Sequence, residues 1–469
     1  MRSHPPSFGK WVGPAWRKRA RKDVSKLNPV NIWPKNTSFE DGEIYLAGIR
    51  AQDLAKEFGT PAFIIDEDDF RSRVQEFRSA LDLTFGRENS DIFYAGKAFL
   101  SVQIAKWLAE EGVGLDVCSG GELAVAIAAK FPANRIEVHG NNKSAAEIRS
   151  AIEIGVYLIV ADSLHEIERI EDIAKQLGKK QAILLRLTPG IEAHTHEFIA
   201  TAHEDVKFGF SIASGAAAIA TKKALEATHV ELRGFHCHIG SQIFDNNGFD
   251  IAAQRVIEFM AEMKAVHAIE FPDLDLGGGF GIAYVASDTP QSIDSVISRM
   301  HEVVLDECKK HGLAIPHVAI EPGRAIAGPS TVTLYEVGTT KEVNLDGGQR
   351  RNYISVDGGM SDNIRPALYG AQYSVQLANR TSTSPLTSSR VVGKHCESGD
   401  IIIREVELPS DVKPGDILAI PATGAYGRSM ASNYNHQPRP PVIAVKNGQA
   451  RVILRRENEA DLLNLEVNS

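Results

Sequence analysis

A lysine stands where the sequence changes from one hydrophobic period to another. Lys97 follows the apolar, strand-like run Asp91-Ile92-Phe93-Tyr94-Ala95-Gly96 and precedes a helical pattern in which Leu100, Ile104, Trp107 and Leu108 share a face. Partial desolvation at such a junction disfavours the ammonium, and the amine it frees can attack a carbonyl carbon. The plainer alternative is a lysine whose stem is covered and whose charged head reaches water.

Other polar groups also follow strand-like runs. Leu276-Gly277-Gly278-Gly279-Phe280-Gly281 lets backbone N–H groups close on an anion such as a phosphate, or makes a flexible turn; it lacks the spacing of a dinucleotide fingerprint. In Glu321-Pro322-Gly323-Arg324, the carboxylate suits a protonated ring nitrogen and the guanidinium suits a phosphate or carboxylate. A surface turn with an ion pair is the competing reading. His236 and His238, two apart on a strand, share a face. They place an imidazole against a planar cofactor, or they form an HxH metal pair to which His194 and His196 would add a second. Lys394-His395-Cys396-Glu397 sets a thiol beside a histidine, as a proton donor would require, or holds an ordinary half-buried cysteine. Arg365 and Tyr369, four apart after the Asp357-Gly358-Gly359 turn, can grip a substrate carboxylate, although such a turn can be structural.

These groups need a scaffold that brings distant strand ends together. From Pro61 to about Gly328 short apolar strands alternate with helical patterns, starting at Pro61-Ala62-Phe63-Ile64-Ile65 and closing at Val318-Ala319-Ile320-Glu321. About eight such units fit a closed (β/α)8 TIM-like barrel, with an open doubly wound sheet as runner-up. Beyond Gly328, β-branched stretches such as Thr331–Val337, Ile401–Ile403 and Val442–Val445 alternate with turn residues and read as a C-terminal all-β domain. The expected division is a mobile arm over 1–30, a strand region over 31–60 joining the β domain, the cofactor-binding barrel over 61–328 and the β domain over 329–469.

With 469 residues, 43% hydrophobic and 24% charged, the chain has an ordinary globular composition. Its net charge of -9 argues against nucleic-acid binding driven by phosphate contacts. Cys118, Cys237, Cys308 and Cys396 form no CxxC pair, which favours a reducing compartment. No apolar run approaches the roughly 18 residues that cross a bilayer, and the start has no signal-peptide core. The basic cluster Arg17–Lys22 reads as part of a solvated arm. A cytoplasmic protein with no membrane contact is expected.

Read together, the segments Tyr94–Ala98, Asp116–Leu123, His139–Ser144, His236–Gln242, Gly277–Phe280, Glu321–Arg324, Cys396–Asp400, Gly424–Tyr426 and Met430–Asn435 resemble the diaminopimelate decarboxylases, fold type III pyridoxal phosphate enzymes with an alanine racemase-like barrel. The resemblance runs in order from about Asn31 to Pro441, and the whole set is far more specific than any one segment. It implies pyridoxal 5'-phosphate joined to Lys97, stacked by His238 and paired at its ring nitrogen with Glu321. Ser241, Gly278, Gly279, Gly323 and Arg324 would surround its phosphate, and Tyr426 would touch cofactor and substrate. Arg324, Arg365, Tyr369 and Glu397 would bind substrate, the last three at its distal end. Cys396 would enter as proton donor from the second subunit of a homodimer with shared active sites. The implied reaction turns meso-2,6-diaminopimelate into L-lysine and CO2, the last step of lysine biosynthesis, with no metal. The alternatives are a related decarboxylase of arginine, ornithine or carboxynorspermidine, a metal-dependent barrel hydrolase using His194, His196, His236 and His238, and a non-catalytic homologue.

Overall fold

The computed structural model describes residues 32–190, 207–244 and 247–467. The basic arm, His194 and His196 lie outside them.

Four helices of the first half begin alike. Ser101, Ser119, Ser144 and Ser163 stand at their N-caps, and each hydroxyl accepts from the backbone N–H three residues on, at 3.2–3.3 Å. Ser144 and Glu147 complete a reciprocal capping box. Each serine follows a strand within a few residues, so the chain turns from extended to helical at a fixed place and returns to add the next strand in parallel. The result is a ring of eight parallel strands: Ser90–Ala95, Gly114–Val117, Ile136–Val138, Leu158–Ala161, Gln181–Thr188, Val230–Cys237, Asp273–Asp275 and His317–Ile320. Val318 opposite Ser90 closes the ring. Gly114–Val117 and Leu158–Ala161 are buried throughout because helices cover one face and the lumen the other.

The second unit is a β-sheet built on Thr331–Asn344. Its outer half pairs with Arg350–Val356, and its inner half pairs with Ala62–Asp66 on one side and Ile417–Pro421 on the other. Leu386–Val392, Ile401–Pro409, Val442–Lys446 and Gln449–Leu454 extend it. The strand expected to open the barrel therefore sits elsewhere. Ala62–Asp66 is fully buried, as its composition indicates, but it runs antiparallel to Thr331–Leu334 and parallel to Val442–Val445. A run of apolar residues specifies burial on both faces without specifying which sheet supplies the neighbours. Upstream, Thr37–Glu40 and Glu43–Leu46 form a hairpin about Asp41-Gly42. Ile44 and Leu46 pack with Ile64, Val332, Leu334 and Ile443 in the β-domain core.

Candidate active site

At the carboxyl end of the barrel strands a cavity of about 450 Å³ opens between the two units, lined by Lys97, His238, Ser241, Gly279, Glu321, Gly323, Arg324, Arg365, Tyr369 and Tyr426, among others. Lys97 rides on the turn Gly96–Ala98 immediately after the Ser90–Ala95 strand. Tyr94 fixes that turn by donating its hydroxyl to Phe99 O at 2.8 Å. A loop of the β domain closes over it, with Tyr426 N donating to Ala98 O at 2.8 Å. Burial alone would free the Lys97 amine, but the acidic groups of Cys118, Tyr426, Asp116 and Glu321 outweigh it, so the ammonium is held above its usual pKa. The expectation of a neutral amine from desolvation is corrected: the site surrounds Lys97 with acids as well as covering it.

Glu321 follows the last barrel strand and its carboxylate points among buried imidazoles. Its Oε1 lies 2.9 Å from His139 Nε2 and 3.2 Å from His236 Nε2. Burial pushes this carboxyl towards its neutral form, yet His139 and His236 overcome that and hold it well below the usual carboxylate range. His139 is also buried and is kept protonated, its desolvation being exceeded by Asp116 and Glu321. Burial lowers His236 to about 4 and raises Glu137 to about 7. The lumen thus keeps an anionic Glu321 facing the cavity above a protonated His139.

His238 leaves the end of the Val230–Cys237 strand and lines the cavity, where its Nδ1 accepts from Gly278 N at 3.1 Å. Burial and the nearby Lys97 hold its ring neutral. The two histidines of the HxH pattern therefore part company. His236 joins His139 and Glu321 within ligand distance of one another, and His238 does not belong to that group. Gly278 approaches the Glu321 carbonyl so closely that a Cβ would lie 2.2 Å from the oxygen. Gly279 has φ +114°, which L-residues rarely adopt, and a Cβ there would meet Gly240 O at 2.5 Å.

Arg324, buried at the start of the Arg324–Ala327 helical turn, donates to Ser241 Oγ at 2.8 Å. Arg365 and Tyr369 begin and end another short turn and both reach the cavity. Cys396 and Glu397 do not: both are exposed, and neither lines this chain's cavity. Two tyrosines were missed by sequence reasoning. Tyr284 accepts from Arg324 Nη1, and Tyr373 accepts from Arg365 Nη1. The available signal was an aromatic hydroxyl in each loop beside a suspected arginine or glycine run.

The chain is similar in sequence and in fold to known proteins. The pyridoxal-dependent decarboxylase family, by its pyridoxal binding domain, matches residues 67–328. A diaminopimelate decarboxylase of Mycobacterium tuberculosis is 53% identical over 442 residues, 93% of this chain and 98% of that protein. One from Bacillus subtilis is 44% identical over 428 residues, 91% of this chain and 96% of that protein. The crystal structure of diaminopimelate decarboxylase from M. jannaschii with L-lysine superposes with a TM-score of 0.86 at 32% identity, covering 93% of this chain and 98% of that one.

Proposed function

The chain belongs to the diaminopimelate decarboxylase family of pyridoxal-dependent decarboxylases, and we infer from that membership and from its cavity that it converts meso-2,6-diaminopimelate to L-lysine and CO2. One observation carries this reading: a lysine, an anionic carboxylate and two arginines meet in a single cavity at the barrel's carboxyl end.

The residues fit pyridoxal 5'-phosphate. Gly278 and Gly279 are held to glycine by the backbone packed against them; Gly279 lines the cavity where a phosphate belongs, and Gly278 gives its N–H to His238 and steadies that ring. Ser241 and Arg324 stand beside them, with Gly323 at the turn. When bound, the cofactor supplies an electron-accepting ring for the pair left behind by departing CO2. Lys97 is the amine that would hold it, and His238 offers a neutral ring face. Glu321, an anion in this lumen, would keep a proton on the ring nitrogen. Tyr426 borders both cofactor and substrate positions.

A substrate with an amino-acid group at each end needs a cation for its distal carboxylate. Arg365 supplies that charge, with Tyr369 beside it and Arg324 facing the same cavity. The distal ammonium needs an acid, and the reacting carbon needs a proton. We assign these to Glu397 and Cys396 of a second copy in a homodimer, because on this chain both are exposed and neither lines its own cavity. Among the described residues no helix is long and apolar enough to cross a membrane. The four cysteines are unpaired, which supports a cytoplasmic setting.

The test is direct. Purified protein loaded with pyridoxal 5'-phosphate should absorb visible light, lose that band on borohydride treatment, and release lysine and CO2 from meso-diaminopimelate. Consumption of arginine or ornithine with no lysine from diaminopimelate would overturn the substrate assignment.

A further inference from the structure

Arg324 and Arg365 come from distant parts of the chain, yet both are anchored on one side chain. Tyr284 is 5% exposed and lies in the segment after the glycine run. Its hydroxyl accepts from Arg324 Nη1 at 2.5 Å, while its ring face receives the Arg365 guanidinium, whose carbon is 4.7 Å from the ring centre. The Tyr373 ring meets it edge-on at 5.1 Å and 82°, and the Tyr373 hydroxyl accepts from Arg365. The backbone of Tyr284 is fixed as well. Its N–H donates to Asp288 Oδ2 at 2.9 Å, and its carbonyl accepts from Ser374 N at 3.1 Å, next to Tyr373.

The charges show what this arrangement serves. Among the described residues, the side chains holding the two guanidiniums are neutral: Ser241, Tyr284 and Tyr426 for Arg324, Tyr284 and Tyr373 for Arg365. Two buried cations on one ring repel each other, and the ring attracts both only modestly. A ligand anion is the missing counter-charge: the substrate's distal carboxylate for Arg365, and for Arg324 that carboxylate together with the cofactor phosphate on its Ser241 side. An arginine on a free stem could follow that carboxylate over several ångströms by changing rotamer, whereas guanidiniums tied to a pinned ring cannot.

We propose that Tyr284 is a positioning residue that sets chain-length selectivity, by holding Arg324 and Arg365 at a fixed distance from Lys97 as a single carboxylate grip. This rests on the assignment of an amino-diacid substrate. A substrate one methylene too short leaves its distal carboxylate away from the grip, and one methylene too long must buckle to reach it.

The experiment compares diaminopimelate with diaminoadipate and diaminosuberate, one methylene shorter and longer, as substrates and, by calorimetry, as ligands of the cofactor-loaded protein. Tyr284→Leu removes hydroxyl and ring face together, and Tyr284→Phe removes the hydroxyl alone. The leucine variant should lower the preference for diaminopimelate over its neighbours at least about tenfold, chiefly through KM, and the phenylalanine variant should lower it less. Equal losses for all three lengths, in a variant that keeps the wild-type visible band and melting temperature, would make Tyr284 merely structural and overturn the proposal. If the leucine variant does not fold, the phenylalanine variant carries the same criterion. A wild-type protein that makes no lysine would fault the activity assignment instead, and calorimetry would still read the grip.

Discussion

Lys97 and Glu321 share one electrostatic surrounding but are pushed in opposite ways by it. Acids around the lysine keep its proton on, and imidazoles around the glutamate keep its proton off. Lys97→Ala should therefore leave the barrel folded while abolishing both the borohydride-sensitive band and turnover; an unchanged visible spectrum would remove Lys97 from the role assigned to it. Deeper in the lumen, burial lifts Glu137 from 4.5 to about 7 and depresses His236 from 6.5 to about 4. The folded state holds the Glu137 proton more tightly than the unfolded chain, so that contribution is full below 4.5 and is lost as pH rises through about 7. His236 has the opposite sign: its contribution is full above 6.5 and is lost as pH falls through about 4. Glu137→Gln removes only the first. Its melting temperature relative to wild type should climb between pH 4.5 and pH 7, and a flat difference would contradict the buried proton.

At the scale of elements, the site is a set of strand ends and the turns that follow them. Gly278 shows how little tolerance these turns have. A methyl there would press on the Glu321 carbonyl, so Gly278→Ala should cost about 1–3 kcal/mol in unfolding experiments and weaken cofactor retention together. Wild-type cofactor affinity in a destabilised variant would separate the two effects. This level was the most legible in the sequence. Lys97, His238, Gly279, Glu321 and Arg324 all fall just past strand-like runs, and a parallel barrel collects such positions at one end whatever their separation along the chain. What was not legible depends on through-space partners. The charge state of Lys97 is set by residues on other strands, and the burial of Ala62–Asp66 named no sheet. Tyr284 and Tyr373 gain meaning only beside the arginines they hold.

For the molecule as a whole, the roles proposed for Cys396 and Glu397 bring a second copy into the active site. Mixing two inactive variants tests this. In a heterodimer of Lys97→Ala and Cys396→Ala subunits, one of the two cavities keeps both wild-type groups. After subunit exchange, random pairing should restore roughly a quarter of wild-type activity. No recovery, with exchange shown by mass, would put the proton donor on the same chain as Lys97.

The strand Ala62–Asp66 also has a history in time. It leaves the ribosome before any barrel strand, while its partners Thr331–Asn344 and Val442–Lys446 emerge only after the barrel has been made. For most of synthesis it is an apolar ribbon with both edges open, the kind of segment that seeks other chains. The barrel is thus an insertion within the β domain, and its completed form is what brings the two halves of that sheet within reach. A fragment cut to isolate the barrel should begin after Asp66; one that starts at Pro61 would carry the orphaned ribbon and aggregate.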